Sequence, residues 1–168
     1  MKKLFTVILL FAIVGCKSKK IDTSKKRSAK TTKVSSTLKP TKQAKRIIDY
    51  AKTFDGTRYK FGGIDKRGID CSGLIQTSFK KYNVLLPRTT ADLKNAGHWV
   101  DLKNIAVGDL VFFATKKNSR TINHVGIVTN AKQGNIEFVH ASSSKGVMVS
   151  ALAERYWYFA YVQARRVL

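Results

Sequence analysis

Acidic residues are scarce in this sequence, and the scarcity limits what the protein can bind. The 168 residues include 10 Asp and Glu against 32 Lys and Arg, which gives a formal net charge of +22. Such an excess favours anionic partners, but no stripe of basic residues interleaved with aromatics indicates nucleic-acid binding. We therefore expect no nucleic acid as a partner and interpret the charge as attraction to envelope polymers or membrane surfaces. Charge that only keeps the chain soluble is an equal alternative.

Long apolar runs and cysteines are also few. The N-terminal run Leu4–Val14 has eleven residues, and the only cysteines are Cys16 and Cys71. A membrane-spanning helix needs about 20 apolar residues, so this run indicates a secretory signal, preceded by the basic Lys2 and Lys3. Two cysteines exclude a disulfide framework, and the alternative, a single Cys16–Cys71 bond, would tie an N-terminal tail to the following domain.

The end of the apolar run, Gly15–Cys16, resembles the lipobox of bacterial lipoproteins. The resemblance implies cleavage before Cys16 and attachment of lipid, palmitate included, to that cysteine. We expect residues 1–15 to be a signal peptide and the mature protein to be a lipoprotein anchored in a membrane of the cell envelope. Because Lys17 follows the cysteine, the sorting rule of enteric bacteria favours the outer membrane, facing the periplasm. Ordinary cleavage that leaves a free Cys16 is the alternative.

The lipidated cysteine and a disordered basic tether are expected to occupy residues 16–40. Lys, Ser and Thr dominate this segment, and Asp22 is its only acid. Such a composition cannot bury enough apolar surface to offset the entropy lost on ordering. The remaining residues, 41–168, are enough for one compact domain with a single core.

The domain is predicted to be α+β. Apolar residues recur at helical spacing in residues 41–54 and 71–82, and Thr89–Thr90 supplies the cap of a shorter helix that ends at Gly97. After Gly108 the periodicity changes to that of strands, which are predicted at 110–114, 125–129, 136–141, 147–150 and 158–167. Helices followed by an antiparallel sheet are typical of the α+β class.

Cys71 lies at the start of the predicted helix 71–82. The unpaired N–H groups at a helix N-terminus favour a thiolate and can also stabilise an oxyanion. If Cys16 carries lipid, Cys71 has no partner within the chain, and a solitary thiol in an oxidising compartment calls for a use. Cys71 is therefore a candidate nucleophile, and a buried structural thiol is the alternative.

Two histidines are predicted to meet on one face of the sheet. A hairpin centred near Lys132 pairs residues whose numbers sum to 264, which places His124 opposite His140 with Cβ atoms ~4.5–5.5 Å apart. Cys71, His124 and His140 would then serve as nucleophile, base and orienting residue. A core histidine and a metal site are the alternatives. Zinc usually needs three or four ligands, and His98 lies in another segment, so we expect no metal and no cofactor.

These motifs together resemble the NlpC-type cysteine peptidases of bacterial cell walls, most closely the lipoprotein endopeptidases of Gram-negative envelopes. The matching segments are 67–73, 86–90, 108–113, 124–127, 138–142 and 164–167. The resemblance implies a papain-like fold in which N-terminal helices, with the catalytic Cys at a helix N-terminus, pack on an antiparallel sheet. It also implies a triad in which Cys71 is the nucleophile, His124 the base and His140 the third, orienting residue.

Further roles follow from the resemblance alone. Tyr59 matches a family tyrosine that lies beside the nucleophile and helps to bind substrate or oxyanion. Asp70 and Ser72 match positions that contact the peptide of the cell wall. Arg88 is expected to support the loop after helix 71–82, and segment 116–123 looks longer than in close relatives.

The expected function is a membrane-anchored endopeptidase whose partners are peptidoglycan peptides. Through a Cys thiolate and an acyl-enzyme it would cut stems or cross-links, at D-alanyl–diaminopimelate or D-glutamyl–diaminopimelate bonds. A non-catalytic murein-binding lipoprotein and an acyltransferase on the same scaffold are the alternatives. The sequence gives no indication of the oligomeric state.

Overall fold

The structure is a computed structural model that describes residues 40–132 and 134–168. The predicted signal peptide, the predicted lipidation site Cys16 and residues 17–39 of the predicted tether lie outside these residues. Within the two described ranges, no helix is both long and apolar enough to cross a membrane.

Helices dominate the first part of the described chain, and strands dominate the second part. The helices are α1 (Lys42–Lys52), α2 (Cys71–Lys80), α3 (Thr90–Leu93) and α4 (Arg155–Ala160), with a 3-10 turn at Leu102–Asn104. The strands are β1 (Ile64–Asp65), β2 (Gly68–Ile69), β3 (His98–Val100), β4 (Leu110–Phe113), β5 (His124–Lys132), β6 (Asn135–Ser142), β7 (Gly146–Ala151) and β8 (Tyr161–Arg166). The predicted α+β class is confirmed.

Six strands form one antiparallel sheet in the order β3-β8-β4-β5-β6-β7, and β1 and β2 form a separate hairpin. Both faces of the large sheet are covered. One face packs against α1 and α2 through residues such as Ile47, Leu74 and Phe79. The opposite face packs against Trp157 and Ala160 of α4. The strands at the centre of the sheet are therefore buried on both sides, and for this reason the sequence of β4 is an unbroken apolar run.

The predicted final strand, 158–167, is wrong at its start, because Tyr158–Ala160 belong to α4. The pattern of burial gives the reason. Trp157 and Ala160, three residues apart, are buried, while Tyr158 and Phe159 are exposed, which is helical periodicity. The sequence prediction followed the aromatic, β-favouring composition of this segment and missed its period.

The register of the β5–β6 hairpin also differs from the prediction. Ile127 pairs with Val139 and Val128 with Phe138, and the register shifts between Val128 and Asn130. These two pairs sum to 266, whereas the pairs next to the turn, such as Lys132 with Asn135, sum to 267, so the register shift restores an even sum. The predicted direct pairing of positions 124 and 140 is wrong, but a displacement by an even number leaves side chains on their face.

Candidate active site

Helix α2 presents Cys71 from its first turn. Asp70 is the N-cap and its Oδ1 accepts a hydrogen bond from the Gly73 N–H at 2.6 Å, which satisfies one of the unpaired donors of the first turn. Cys71 carries a free thiol that is 6% exposed. A β-carbon at Gly73 would collide with the Gly63 carbonyl oxygen, so only glycine allows the preceding loop to lie this close to the helix start.

Burial raises the pKa of the Cys71 thiol. A hydrogen bond with Thr90, whose Oγ1 lies 3.7 Å from Sγ, and the N–H groups of Val125 and Ser72 act in the opposite direction but do not outweigh burial. Burial therefore opposes the thiolate that a helix start favours, so ionisation of the thiol calls for a base.

His124 and His140 are hydrogen-bonded to each other. Both lie on the face of the sheet that packs against α4, and His124 Nε2 lies 3.0 Å from His140 Nδ1. His140 Nε2 lies in turn 3.1 Å from the Ser150 hydroxyl on β7. Of the four ring nitrogens of the pair, only His124 Nδ1 takes part in neither of these hydrogen bonds.

The aromatic surroundings keep both imidazoles neutral. Trp157 stacks on His124 at 5.5 Å between ring centroids and meets the edge of His140 at 4.7 Å. Burial lowers the pKa of His124 to about 3, helped by the neighbouring His140, and lowers the pKa of His140 to about 4. A neutral imidazole at physiological pH can accept a proton, as a general base must.

Gly126 makes room for the histidine pair. It lies on β5 two residues after His124, on the same face. A β-carbon at this position would lie 2.6 Å from the Phe138 ring and 3.3 Å from the His140 Cβ. The missing side chain therefore allows Phe138 and His140 to approach β5.

Asp70 and Arg88 form the polar support of the helix start. The Arg88 guanidinium binds both oxygens of the Asp70 carboxylate, at 3.0 and 2.8 Å, and donates to the Ser72 hydroxyl at 2.8 Å. Oδ2 of Asp70 also accepts from the Gly62 N–H at 2.7 Å. Although burial raises the pKa of Asp70, the Arg88 and backbone hydrogen bonds outweigh it and hold the pKa below its usual value.

This network changes the interpretation of two predicted substrate contacts. Asp70 is 5% exposed and Ser72 is 6% exposed, and both side chains bond to Arg88. Their observed role is to fix the loop and the helix that carry Cys71. Contact of either residue with a cell-wall peptide stays a prediction.

A cleft runs past Cys71 on both sides. One cavity of about 360 Å³ is lined by Tyr59, Cys71, His124 and His140. A second cavity of about 440 Å³ is lined by Tyr59, Cys71, Arg88 and Thr90. The two meet at Cys71 and Tyr59, so a chain bound in this cleft would extend beyond the sulfur in both directions. Burial, then the nearby Cys71 and Asp70, raise the pKa of the Tyr59 phenol, which keeps it a hydrogen-bond donor.

The third histidine lies elsewhere. His98 is on β3 and pairs with Arg166 of β8, with β8 and β4 between it and β5. Among the described residues there is no group of three or more His, Cys, Asp or Glu side chains that could hold a metal ion.

Sequence reasoning missed several residues around the site. Thr90, Ser150 and Trp157 contact the thiol or the imidazoles, yet the sequence assigned none of them a role in the site, and Ser150 and Trp157 lie in segments with no local motif. The predicted cap at Thr89–Thr90 is confirmed, with Thr89 as the N-cap of α3, but the contact of Thr90 with the thiol was not predicted. Only the three-dimensional pairing of β6 with β7 brings Ser150 to His140.

Comparisons with known proteins identify the family of this chain. A family model described as NlpC/P60 family matches residues 56–166, more than half of the chain. The chain belongs to the NlpC/P60 family. The expected family resemblance is thereby confirmed.

Two curated relatives come from Gram-negative bacteria. A protein of Haemophilus influenzae (strain Rd) named probable endopeptidase NlpC homolog is 45% identical over 114 residues, which cover 67% of this chain and 57% of that protein. A protein of Escherichia coli K12 named murein DD-endopeptidase MepS/murein LD-carboxypeptidase is 44% identical over 124 residues, covering 73% and 62%. The match thus spans about six-tenths of the length of these relatives.

A solved structure supports the fold. An NlpC/P60 family protein from Bacillus cereus superposes with a TM-score of 0.69 at 28% identity, covering 77% of this chain and 41% of that one. Helices packed on an antiparallel sheet are common to both.

Proposed function

We propose that this protein is a peptidoglycan endopeptidase in which Cys71 is the nucleophile and His124 the general base. The observation that carries the proposal is the meeting of Cys71, His124 and His140 on one cavity, with a 3.0 Å contact between the two imidazoles. Membership of the NlpC/P60 family and the names of the two Gram-negative relatives support the substrate class.

The hydrogen bonds suggest a role for each ring nitrogen of the two histidines. If His124 carries its proton on Nε2, it donates to His140 Nδ1, and His140 donates from Nε2 to the Ser150 hydroxyl. His124 Nδ1 is then left as an acceptor for the Cys71 proton. His140 and Ser150 are positioning residues in this scheme, because they act through His124.

The reaction proceeds by acyl transfer in two halves. As Sγ of Cys71 attacks the scissile carbonyl carbon, its proton passes to Nδ1 of His124. The tetrahedral intermediate collapses when the imidazolium gives that proton to the leaving amine, leaving a thioester on Cys71. Water then attacks the thioester, its proton passing through His124, and the carboxylate product and the free thiol are released. The Tyr59 hydroxyl and N–H groups beside the sulfur are candidates to stabilise the oxyanion.

The cleft that extends on both sides of Cys71 suits an endopeptidase, since residues of the substrate must lie on either side of the bond. The D-alanyl–diaminopimelate cross-link is the proposed bond, because the Escherichia coli relative is named a murein DD-endopeptidase. The D-glutamyl–diaminopimelate bond is the alternative.

We further propose that lipid on Cys16 anchors the mature protein in the envelope, with the outer membrane favoured. The proposal depends on the lipobox-like Gly15–Cys16 after the apolar run. The lysine-rich segment that follows would let the domain reach the cell wall while it remains attached.

The test is digestion of purified sacculi. Wild-type protein should release muropeptides, and Cys71→Ala should reduce release by at least about 10³-fold, because removal of a nucleophile leaves only weak residual catalysis. Mass spectrometry of the products identifies the bond cut.

The matched control is Cys16→Ala, which removes the other cysteine. It should digest sacculi in solution as the wild type does, while losing incorporation of a palmitate analogue in cells. Undiminished digestion by Cys71→Ala would refute the mechanism. Binding of sacculi without new amines or carboxylates would favour the non-catalytic alternative, and an acylated acceptor would favour an acyltransferase.

A further inference from the structure

A third cavity, of about 820 Å³, lies beyond the histidine side of the cleft. It is formed between the β4–β5 loop and α4, and we call it the basic cavity. Its lining is residues 114–120, Arg155, Tyr156, Phe159 and Ala160. A volume of this order lies in the range of roughly 300–1,000 Å³ that is usual for ligand sites.

The charge of the basic cavity has one sign. No carboxylate lines it, and its four cationic side chains are Lys116, Lys117, Arg120 and Arg155. Within residues 40–132 and 134–168, none of the four forms an ion pair with an acidic side chain. Two aromatic side chains, Tyr156 and Phe159, are 57% and 68% exposed at the same place. Exposed aromatics beside unpaired cations are typical of a binding surface.

The walls of the basic cavity are fixed by hydrogen bonds. The Arg120 guanidinium donates to the Phe159 and Tyr161 carbonyl oxygens at 3.5 and 3.3 Å, which links the loop to the end of α4 and the start of β8. At the base of the loop, Asn123 Oδ1 accepts from the Thr115 N–H at 2.8 Å. The residue after Asn123 is His124, so the loop is anchored directly beside the candidate base.

The basic cavity is adjacent to the cleft. Thr115 and Tyr156 line both the basic cavity and the 360 Å³ cavity that holds Cys71 and the two histidines. A ligand in the basic cavity can therefore be the same molecule that reaches the thiol.

We propose that the basic cavity is a subsite for a carboxylate-bearing segment of the peptidoglycan peptide that extends away from the scissile bond. The inference rests on the proposed function, since it assumes that the cleft binds murein. The lysines and arginines attract the carboxylates of the stem, and Tyr156 and Phe159 supply apolar contact area. Thr115 and Tyr156, the lining residues that the basic cavity shares with the cavity of Cys71, favour a substrate chain over a bilayer as its ligand.

The test compares two variants with the same change in net charge. Lys116→Glu/Lys117→Glu reverses the charge of the basic cavity, and Lys42→Glu/Lys45→Glu reverses two exposed lysines of α1, which line none of the three cavities. Each is assayed on a cross-linked muropeptide with free carboxylates and on the same muropeptide with its carboxylates amidated.

The cavity variant should raise KM for the free-carboxylate muropeptide about tenfold, with kcat within about twofold, because the lost contacts bind without reacting. The α1 variant should leave KM for the free-carboxylate muropeptide unchanged. The two variants should have similar KM values for the amidated muropeptide. An equal KM for both variants, or an equal loss on the amidated muropeptide, would overturn the proposal.

Binding separates this proposal from the proposed function. In a Cys71→Ala background the cavity variant should lose about tenfold in affinity for the same muropeptide, and this result would support the subsite even if the wild type proved unable to cut. Sedimentation with vesicles that contain anionic lipid tests whether the basic cavity binds a membrane surface instead. Reduced vesicle binding by the cavity variant with unchanged muropeptide binding would make the surface a membrane contact and overturn the proposal.

Discussion

At the scale of single residues, Gly126 determines whether the two histidines can meet. It lies on β5 between His124 and Val128, and its neighbours across the sheet leave no space for a side chain. Phe138, which fills that space, is fully buried and lies 4.8 Å from Phe113 and 5.1 Å from His140 between ring centroids. A displaced Phe138 would therefore displace His140 as well.

Gly126→Ala should destabilise the domain by about 1–3 kcal/mol, the usual cost of forcing extra volume into a packed core. It should also lower kcat on a muropeptide, because the hydrogen bond between the imidazoles would be strained. Urea denaturation and steady-state kinetics measure the two effects. Wild-type stability together with wild-type kcat would show that the site tolerates a methyl group here.

At the scale of elements, the start of α2 depends on a charge that comes from outside the helix. The Asp70 carboxylate is buried, and Arg88 from the loop after α2 is its ion-pair partner at 2.8 Å. A buried carboxylate that loses its partner is left with an uncompensated charge. Loss of this ion pair should therefore destabilise both the loop and the start of α2.

Arg88→Met should reduce stability by about 2–3 kcal/mol, and Arg88→Lys should restore it only partly, because lysine cannot bind both oxygens in the same fork. Thermal unfolding provides the measurement. Arg67→Met is the matched control: Arg67 pairs with Asp65 at 2.6 Å, but its side chain is 89% exposed, so its removal should leave the melting temperature nearly unchanged. Equal effects of the two variants would contradict the role given to Arg88.

The elements also show how far sequence reasoning reaches. The apolar spacing of α1 and α2, and the position of Cys71 at a helix start, could be predicted because these signals are local. The common face of His124 and His140 was predicted from the hairpin, but the pairs beside the turn sum to 267, and only the register shift between Val128 and Asn130 restores an even sum. The exact pairing depends on where the turn falls and on the register shift after Val128, and both are set by packing across the whole sheet.

Contacts between distant segments were beyond prediction. Ser150, Trp157 and Thr90 come to the site from β7, α4 and α3, and no spacing in the sequence relates them to Cys71 or His124. The raised pKa of the thiol is a similar case, because burial is its largest cause and a helix start favours the opposite direction.

At the scale of the whole molecule, the buried histidines link stability to pH. Their pKa values of about 3 and about 4 in the folded protein lie below the ordinary value of 6.5. Between these values and pH 6.5 the unfolded chain binds protons that the folded domain does not, so the free energy of unfolding decreases as pH falls. The lowered pKa of Asp70 acts in the same direction below about pH 4.

The urea midpoint should therefore be lower at pH 5 than at pH 7.5, and His124→Gln/His140→Gln should make this difference smaller. Equilibrium denaturation at the two pH values is the measurement. A midpoint that is higher at pH 5, or a difference that the double variant leaves unchanged, would contradict the neutral state of the buried imidazoles.

The most direct test of the account is the rate at which iodoacetamide alkylates Cys71 at pH 7, resolved from Cys16 by peptide mapping. Because His124 is proposed to take the thiol proton, His124→Ala should slow the reaction at Cys71 by about tenfold or more, His140→Ala should slow it less, and His98→Ala should leave it unchanged. The same rate in wild type and His124→Ala would contradict the proposal that these side chains work as one site.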